Sequence, residues 1–323
     1  MMDWTDRHCR FFLRGFSKHT LLYTEMITAA AITRGRRERL LAFDPEEHPL
    51  ALQLGGSEPR ELAAAARAGE DAGYDEINLN CGCPSDRVAS GDFGACLMAE
   101  PERVGECVAA MRVAVNIPVT VKTRIGIVAG GGTSATAAAA RFDDSDREAL
   151  YRFIATVRDA AAAAVIVHAR KAVLGGLSPK DNRQIPPLRY DIVREVRRAF
   201  APLPVILNGG LRTRDAVLEA LSEYDGVMLG REAYHRPMVL AELEASLYPD
   251  ESREDAKAML ERMARYVERE LVLEQRLPSI TRHMLGLMNG EPGAREYRRL
   301  LSEGARAPGA GAELLRQAAG LLQ

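Results

Sequence analysis

The 323-residue chain lacks any apolar run long enough to span a bilayer, and its first residues, MMDWTDRHCRFF, are charged and lack the apolar core of a signal peptide. Cysteine is sparse and odd in number. Cys9, Cys81, Cys83, Cys96 and Cys107 do not make a disulfide framework in a chain this long. Neither sign of charge dominates: 43 Lys and Arg against 45 Asp and Glu leave −2, which excludes a generally basic nucleic-acid coat but permits a local basic surface. No GxGxxG follows the first β-rich run, so the dinucleotide-binding signature is missing. These absences describe a soluble protein of a reducing cytoplasm, and 47% hydrophobic residues are enough for a large core.

What is present is alternation. Seven short β-rich runs, at 20–26, 50–56, 76–82, 118–124, 164–170, 203–210 and 225–231, are separated by helical stretches such as 58–74 and 213–224. Strand-helix alternation implies parallel strands joined by crossover helices, either closed into a barrel or opened into a doubly wound sheet. The strand ends decide between them. Glu25, Gln53, Asn78, Asn80, Lys122, Arg124, His168, Arg170, Asn208 and Arg231 all fall at C-terminal ends. A barrel collects every one of these at a single mouth, whereas an open sheet would use only those at its switch point. The expected fold class is therefore an α/β (β/α)8 TIM barrel over 1–248, followed by a small α-helical bundle over 249–323. Its first strand is cut short, with MMD as the tail.

Residues 128–146, VAGGGTSATAAAARFDDSD, read as an exposed loop inserted after the Lys122 strand, with a lid over the mouth as the alternative. The C-terminal part reads as helices at 252–274, with Ser252 and Asp255 as a capping box, then 278–290, 293–304 and 311–322. Within it, residues 276–316 carry seven Arg against four Glu, a solvated face or a surface for a polyanion.

The mouth suggests its chemistry. Asn208, Gly209 and Gly210, with Gly230 and Arg231, end the last two strands, where barrels commonly hold phosphate. Gln53, Lys122 and His168 suit a flavin, which needs partners on its pyrimidine edge and a cation near N1. A Schiff-base role for Lys122 on a phosphorylated sugar is the rival chemistry. In NCGCP, two cysteines one residue apart supply half a zinc ligand set, with no second pair at suitable spacing, and a disulfide across one residue is strained. A single working thiol remains. Cys83, between Gly82 and Pro84, is the better placed, and a thiol of ordinary pKa is protonated at neutral pH and ready as a general acid.

The segments EINLNCGCPSDRVASGDFGACLM, PVTVKTRIG, VHARKAVLGGLSPKDNRQIPPLRYD, ILNGG, DGVMLGREAY and ITRHMLGLMNGEPGAREYRRLLSE, in this order from residue 1 to about 304, resemble the tRNA-dihydrouridine synthases of the A-type subfamily. The resemblance implies an FMN-dependent barrel with a helical C-terminal domain, reducing the C5–C6 bond of tRNA D-loop uridines with NADPH. It implies that Cys83 protonates C5 and that Cys81 is a bystander. It assigns Met1, Met2, Gln53, Lys122, His168, Asn208, Gly209, Gly210, Gly230 and Arg231 to FMN, Asn80 to the target nucleotide, and Lys180, Arg183, Arg295 and Arg298 to tRNA. The alternatives are a dihydroorotate dehydrogenase-like flavin reductase of small molecules and a non-catalytic tRNA-binding protein.

Overall fold

The computed structural model describes residues 1–84, 93–251 and 254–322. Among these residues nine strands form: β1 Leu22–Thr28, β2 Leu50–Gly55, β3 Glu76–Cys81, β4 Val119–Arg124, β5 Ile127–Ala129, β6 Val165–His168, β7 Ala172–Leu174, β8 Val205–Asn208 and β9 Gly226–Met228. Seven build one sheet in the order β1-β2-β3-β4-β6-β8-β9, and β5 pairs with β7 in a small second sheet. The successive pairs from β2 to β9 are parallel. Each new strand of the main sheet joins the same edge as the last. This one-way winding is that of a (β/α) barrel, and it excludes the reversal of a doubly wound sheet.

Side-chain alternation explains why these runs are strands. Leu52, Leu54, Ile77, Leu79, Val119, Val121, Val165, Val167 and Val205 are fully buried at one parity. Their face receives the helices. In helix Pro59–Ala72, a Cβ on Gly69 would stand 2.6 Å from Leu52 Cδ2 and 2.8 Å from Ile77 Cδ1, so any larger residue would have to push these side-chain tips aside. The opposite parity carries Gln53, Asn78, Asn80, Thr120, Lys122, Arg124, His168 and Asn208. A face with that many polar groups must be hydrogen-bonded or hold a ligand.

The chain divides into two compact units, one of Met26–Ala42 and Leu50–Leu229, the other of Met1–Glu25, Phe43–Pro49 and Gly230–Gln323. The division passes through β1. The second unit is helical. Its first helix, Arg7–Arg14, is capped by Asp6 and stacks Phe11 on Tyr266 of helix Ala256–Val272, with ring centroids 4.1 Å apart. The buried Arg10 donates to Glu47 at 2.6 Å, and Arg14 donates to the carbonyls of Ser17, Thr20, Glu47 and Pro49.

Some expectations are corrected. Residues 1–3 are not the tail of a strand: the Met1 carbonyl accepts from the Trp4 and Thr5 amides, closing a turn in which Asp3 has φ 62°. The 128–146 segment is not an open loop, since it contributes to β5 and forms helix Gly132–Ala140. The helix expected from 252 starts at Ala256 with Asp255 as its N-cap, and Ser252 lies outside the described residues. The helix expected over 278–290 ends at Thr281 and gives way to turns. Among the described residues, no helix is long and apolar enough to cross a membrane.

Candidate active site

The polar face of the sheet is wired as a ladder. Gln53 Nε2 donates to Asn78 Oδ1 at 2.9 Å, and Asn78 Nδ2 donates to Thr120 Oγ1 at 2.8 Å. Thr120 Oγ1 in turn donates to Glu76 at 2.6 Å. One layer higher, Asn80 Nδ2 donates to Gln53 Oε1 at 2.9 Å, while Asn80 Oδ1 accepts from both the Gly82 and Cys83 amides at 3.0 Å. Asn80 therefore ties the Cys83 turn to Gln53 on the neighbouring strand. The chain leaves β3 here because the Asn80 side chain takes the amides a further ladder would have used.

The two cysteines of the turn have different surroundings. Cys81 follows Ile77 and Leu79 in parity, is fully buried, and its thiol pKa is pushed up by that burial. Cys83 is half-buried, and its carbonyl accepts from the Ala95 amide at 2.9 Å. Cys107 is also buried, which pushes its thiol up to about 12. All five cysteines are free thiols.

Lys122 stands opposite Asn80 in the β3–β4 register. Burial, and then the neighbouring Arg124, push its pKa down from 10.5 to about 8. Among the described residues, no carboxylate or carbonyl pairs with its ammonium. A desolvated cation at a strand end, with no anion paired to it among the described residues, is a place for a ligand that carries or develops negative charge. His168 is buried one strand further on, opposite Asn208. The turn after Asn208 packs on it. Gly209 and Gly210 take φ +114° and +75°, and a Cβ on Gly209 would stand 2.6 Å from His168 Cδ2. Only glycines reach this conformation without strain, and consecutive amides in it form an anion cradle. Tyr190 Oη donates to the Gly209 carbonyl at 2.6 Å, and Asn208 Nδ2 to the Met228 carbonyl at 2.8 Å, which hold the turn in place. The glycine cradle suits the phosphate of a flavin and of a phosphorylated sugar alike, but the carboxamides of Gln53 and Asn80 beside the cation suit a flavin's pyrimidine edge and would be left unused by a Schiff base.

The structure thus groups Gln53, Asn80, Cys83, Lys122, His168, Asn208, Gly209 and Gly210 in one unit. Lys180 is exposed there, just before the short 3-10 turn Asp181–Arg183. Met1, Met2, Gly230, Arg231, Arg295 and Arg298 belong to the other unit. In it Gly230 faces Met1, whose Sδ would be 3.7 Å from a Cβ there, and Met2 is 53% exposed. Arg295 and Arg298 lie exposed on helix Ala294–Gly304, whose buried Tyr297 donates to the Met284 carbonyl at 3.3 Å. Arg298 also donates to Asn289 at 2.9 Å.

Two structural residues had no assigned role. Arg124 is buried and donates to the carbonyls of Gly82, Lys171 and Asn182 at 2.9, 3.0 and 2.9 Å, and burial pushes its pKa down to about 9. Asn182, fully buried, bonds both the amide and the carbonyl of Val173. Arg124 could have been suspected from sharing the parity of Lys122. Nothing in the sequence marks Asn182 beyond its place in SPKDNR.

With its polar groups collected at the ends of a one-way wound parallel sheet, this is an enzyme of the TIM-barrel class. The chain belongs to the dihydrouridine synthase family: the family model described as "Dihydrouridine synthase (Dus)" matches residues 1–321. The tRNA-dihydrouridine(20/20a) synthase of Xanthomonas axonopodis pv. citri is 52% identical over 321 residues, 98% of this chain and 91% of that protein. Those of Vibrio cholerae, over 98% of this chain and 93% of the relative, and of Synechocystis, over 98% and 91%, are each 51% identical.

Proposed function

We propose that this protein reduces the C5–C6 bond of uridines in tRNA, with FMN as the bound flavin and NADPH as the reductant. The flavin, when bound, supplies hydride to the pyrimidine. Gln53, Lys122 and His168 would hold its ring, and the turn Asn208–Gly209–Gly210 would hold its phosphate; Gly230 and Arg231 are further phosphate residues that the family resemblance implies. Lys122 offsets the negative charge that reduction creates. Asn80 orients the target base, and Cys83 donates the proton to C5 from its half-buried turn. A uridine within folded tRNA must leave its stack to reach such a site, at a cost of a few kcal/mol. Lys180, Arg183, Arg295 and Arg298, the last two on the helical segment 249–323, offset that cost through phosphate contacts.

The observation that carries the reading is the Asn80 carboxamide, which joins the Cys83 turn to the flavin-edge residue Gln53 in the family whose curated relatives are tRNA-dihydrouridine(20/20a) synthases. Positions 20 and 20a are the proposed targets. Cys83→Ala is expected to bind FMN and bleach with NADPH yet form no dihydrouridine, while Cys81→Ala keeps its activity. Mass spectrometry of modified tRNA, with free uridine as a comparison, checks this. Turnover of free pyrimidines at the rate of tRNA would favour a small-molecule reductase, and a colourless protein unable to take up FMN would favour a non-catalytic binder.

A further inference from the structure

The arm formed by residues 127–146 has no part in the chemistry above. Its β5 lies parallel to β7, with Ile127 opposite Ala172 and Ala129 opposite Leu174. Gly131 and Gly176 touch so closely that a Cβ on Gly176 would stand 2.5 Å from the Gly131 Cα. Ala135 and Ala139 close a small apolar cluster on Val173, flanked by Val128 and Leu177. Beyond the helix, the ring of Phe142 has three cations around it, Arg147, Lys171 and Arg189, at 5.8, 5.7 and 5.8 Å from its centroid. Of these, Lys171 is buried and donates to Asp146 Oδ2 at 2.6 Å and to the Ala138 carbonyl at 3.4 Å.

Lys171 begins the segment that ends in Lys180 and Arg183. Arg124 binds this segment at the Lys171 and Asn182 carbonyls, and the Asn182 side chain stitches it at Val173 and Leu177. The arm packs on the same segment at β7, Val173 and Gly176. Lys171 is buried and Asp146 is 20% exposed. An ion pair this desolvated contributes little net stability, because desolvation offsets attraction, and its better-attested use is registry. We infer that the Lys171–Asp146 pair, seated on Phe142, is a positioning latch for RNA: it fixes residues 171–183 so that Lys180 and Arg183 meet the tRNA backbone. This rests on tRNA being the substrate. Lys171 and Asp146 are positioning residues that act through the segment they hold.

The test uses flavin-loaded protein and separates KM for tRNA from kcat, with NADPH-driven flavin bleaching and Tm measured alongside. Lys171→Met keeps the stem, which lies 3.5 Å from where a Gly126 Cβ would be, and removes the ammonium. Asp146→Asn removes the charge but keeps an oxygen for the Asp143 amide, 3.0 Å away. Each is expected to raise KM for tRNA about tenfold while flavin bleaching stays within about twofold of wild type, and Asp146→Glu is expected to restore KM. An unchanged KM, or a KM that rises only together with losses of bleaching and Tm, overturns the latch. Wild-type protein that forms no dihydrouridine in tRNA overturns the reading of the substrate first, so the two failures are distinguishable.

Discussion

Lys122 shows how a site is set against stability. Its pKa is pushed down from 10.5 to about 8, chiefly by burial. The unfolded chain therefore binds the proton more tightly, and stability rises with pH between about 8 and 10.5. At neutral pH the charged amine costs the flavin-free protein about 3 kcal/mol at most. Lys122→Met is expected to raise the Tm of the flavin-free protein and to flatten its dependence on alkaline pH. The same change is expected to weaken flavin binding by tenfold or more, an order-of-magnitude figure for a lost charge contact in a desolvated site. Calorimetry and flavin titration of the one variant check both halves. The need for an inward cation was legible from the position of Lys122 at a strand end. Its depressed pKa was not, because that depends first on burial by packing from several strands and then on Arg124.

Among the elements, the strands were the more legible, since six of the seven expected runs contain an observed strand of the main sheet and the first, 20–26, overlaps Leu22–Thr28. Alternation with period two survives any arrangement of the crossovers. The helical segments were harder. The helix from Leu277 stops at Thr281, and further on Gly286 abuts the His235 carbonyl, where a Cβ would stand 2.5 Å away. No local pattern reveals such a tertiary approach. Helix Ala294–Gly304 behaves as its pattern requires, with Tyr297 and Leu301 buried and Arg295 and Arg298 outside. Replacing both arginines with Gln is therefore expected to leave Tm within about 1 °C, since exposed changes of this kind are nearly neutral. It should weaken tRNA binding and reduce the slope of log K against log salt by about 1.5. Binding isotherms at several ionic strengths measure it.

At the scale of the molecule, the unit of Met1–Glu25, Phe43–Pro49 and Gly230–Gln323 carries an acid sensitivity of its own. His8 Nδ1 lies 2.7 Å from the Tyr266 hydroxyl, and burial, only partly offset by Asp6, pushes the imidazole down from 6.5 to about 4. The unfolded state then takes up a proton before the folded one, so stability is lost as pH falls from 6.5 to about 4, by at most about 3 kcal/mol. Asp6 acts in a lower window. Burial alone would raise its pKa, but His283, the Cys9 amide and Arg282 outweigh that and hold it below the carboxylate range, so its contribution is lost only at more acid pH. Trp4, the single tryptophan, stacks on Tyr234 in the same unit at 4.5 Å and reports its unfolding. The urea midpoint by Trp4 fluorescence is expected to fall between pH 7 and pH 5, and His8→Asn is expected to remove most of that fall.

By itself the sequence determined the parallel alternation and the set of polar residues that share one parity, and it singled out Cys83 as the thiol proposed for the chemistry. Each depends on the period of a strand or the bonding capacity of a side chain, which are local properties. Only the tertiary structure decided that residues 127–146 dock as an arm, that Asn80 ties Cys83 to Gln53, and that Lys171 reaches Asp146. Apart from the local bond of Asn80 to the Cys83 amide, those contacts join residues far apart in the chain, and nothing in local spacing encodes which distant groups close packing will bring within hydrogen-bond reach.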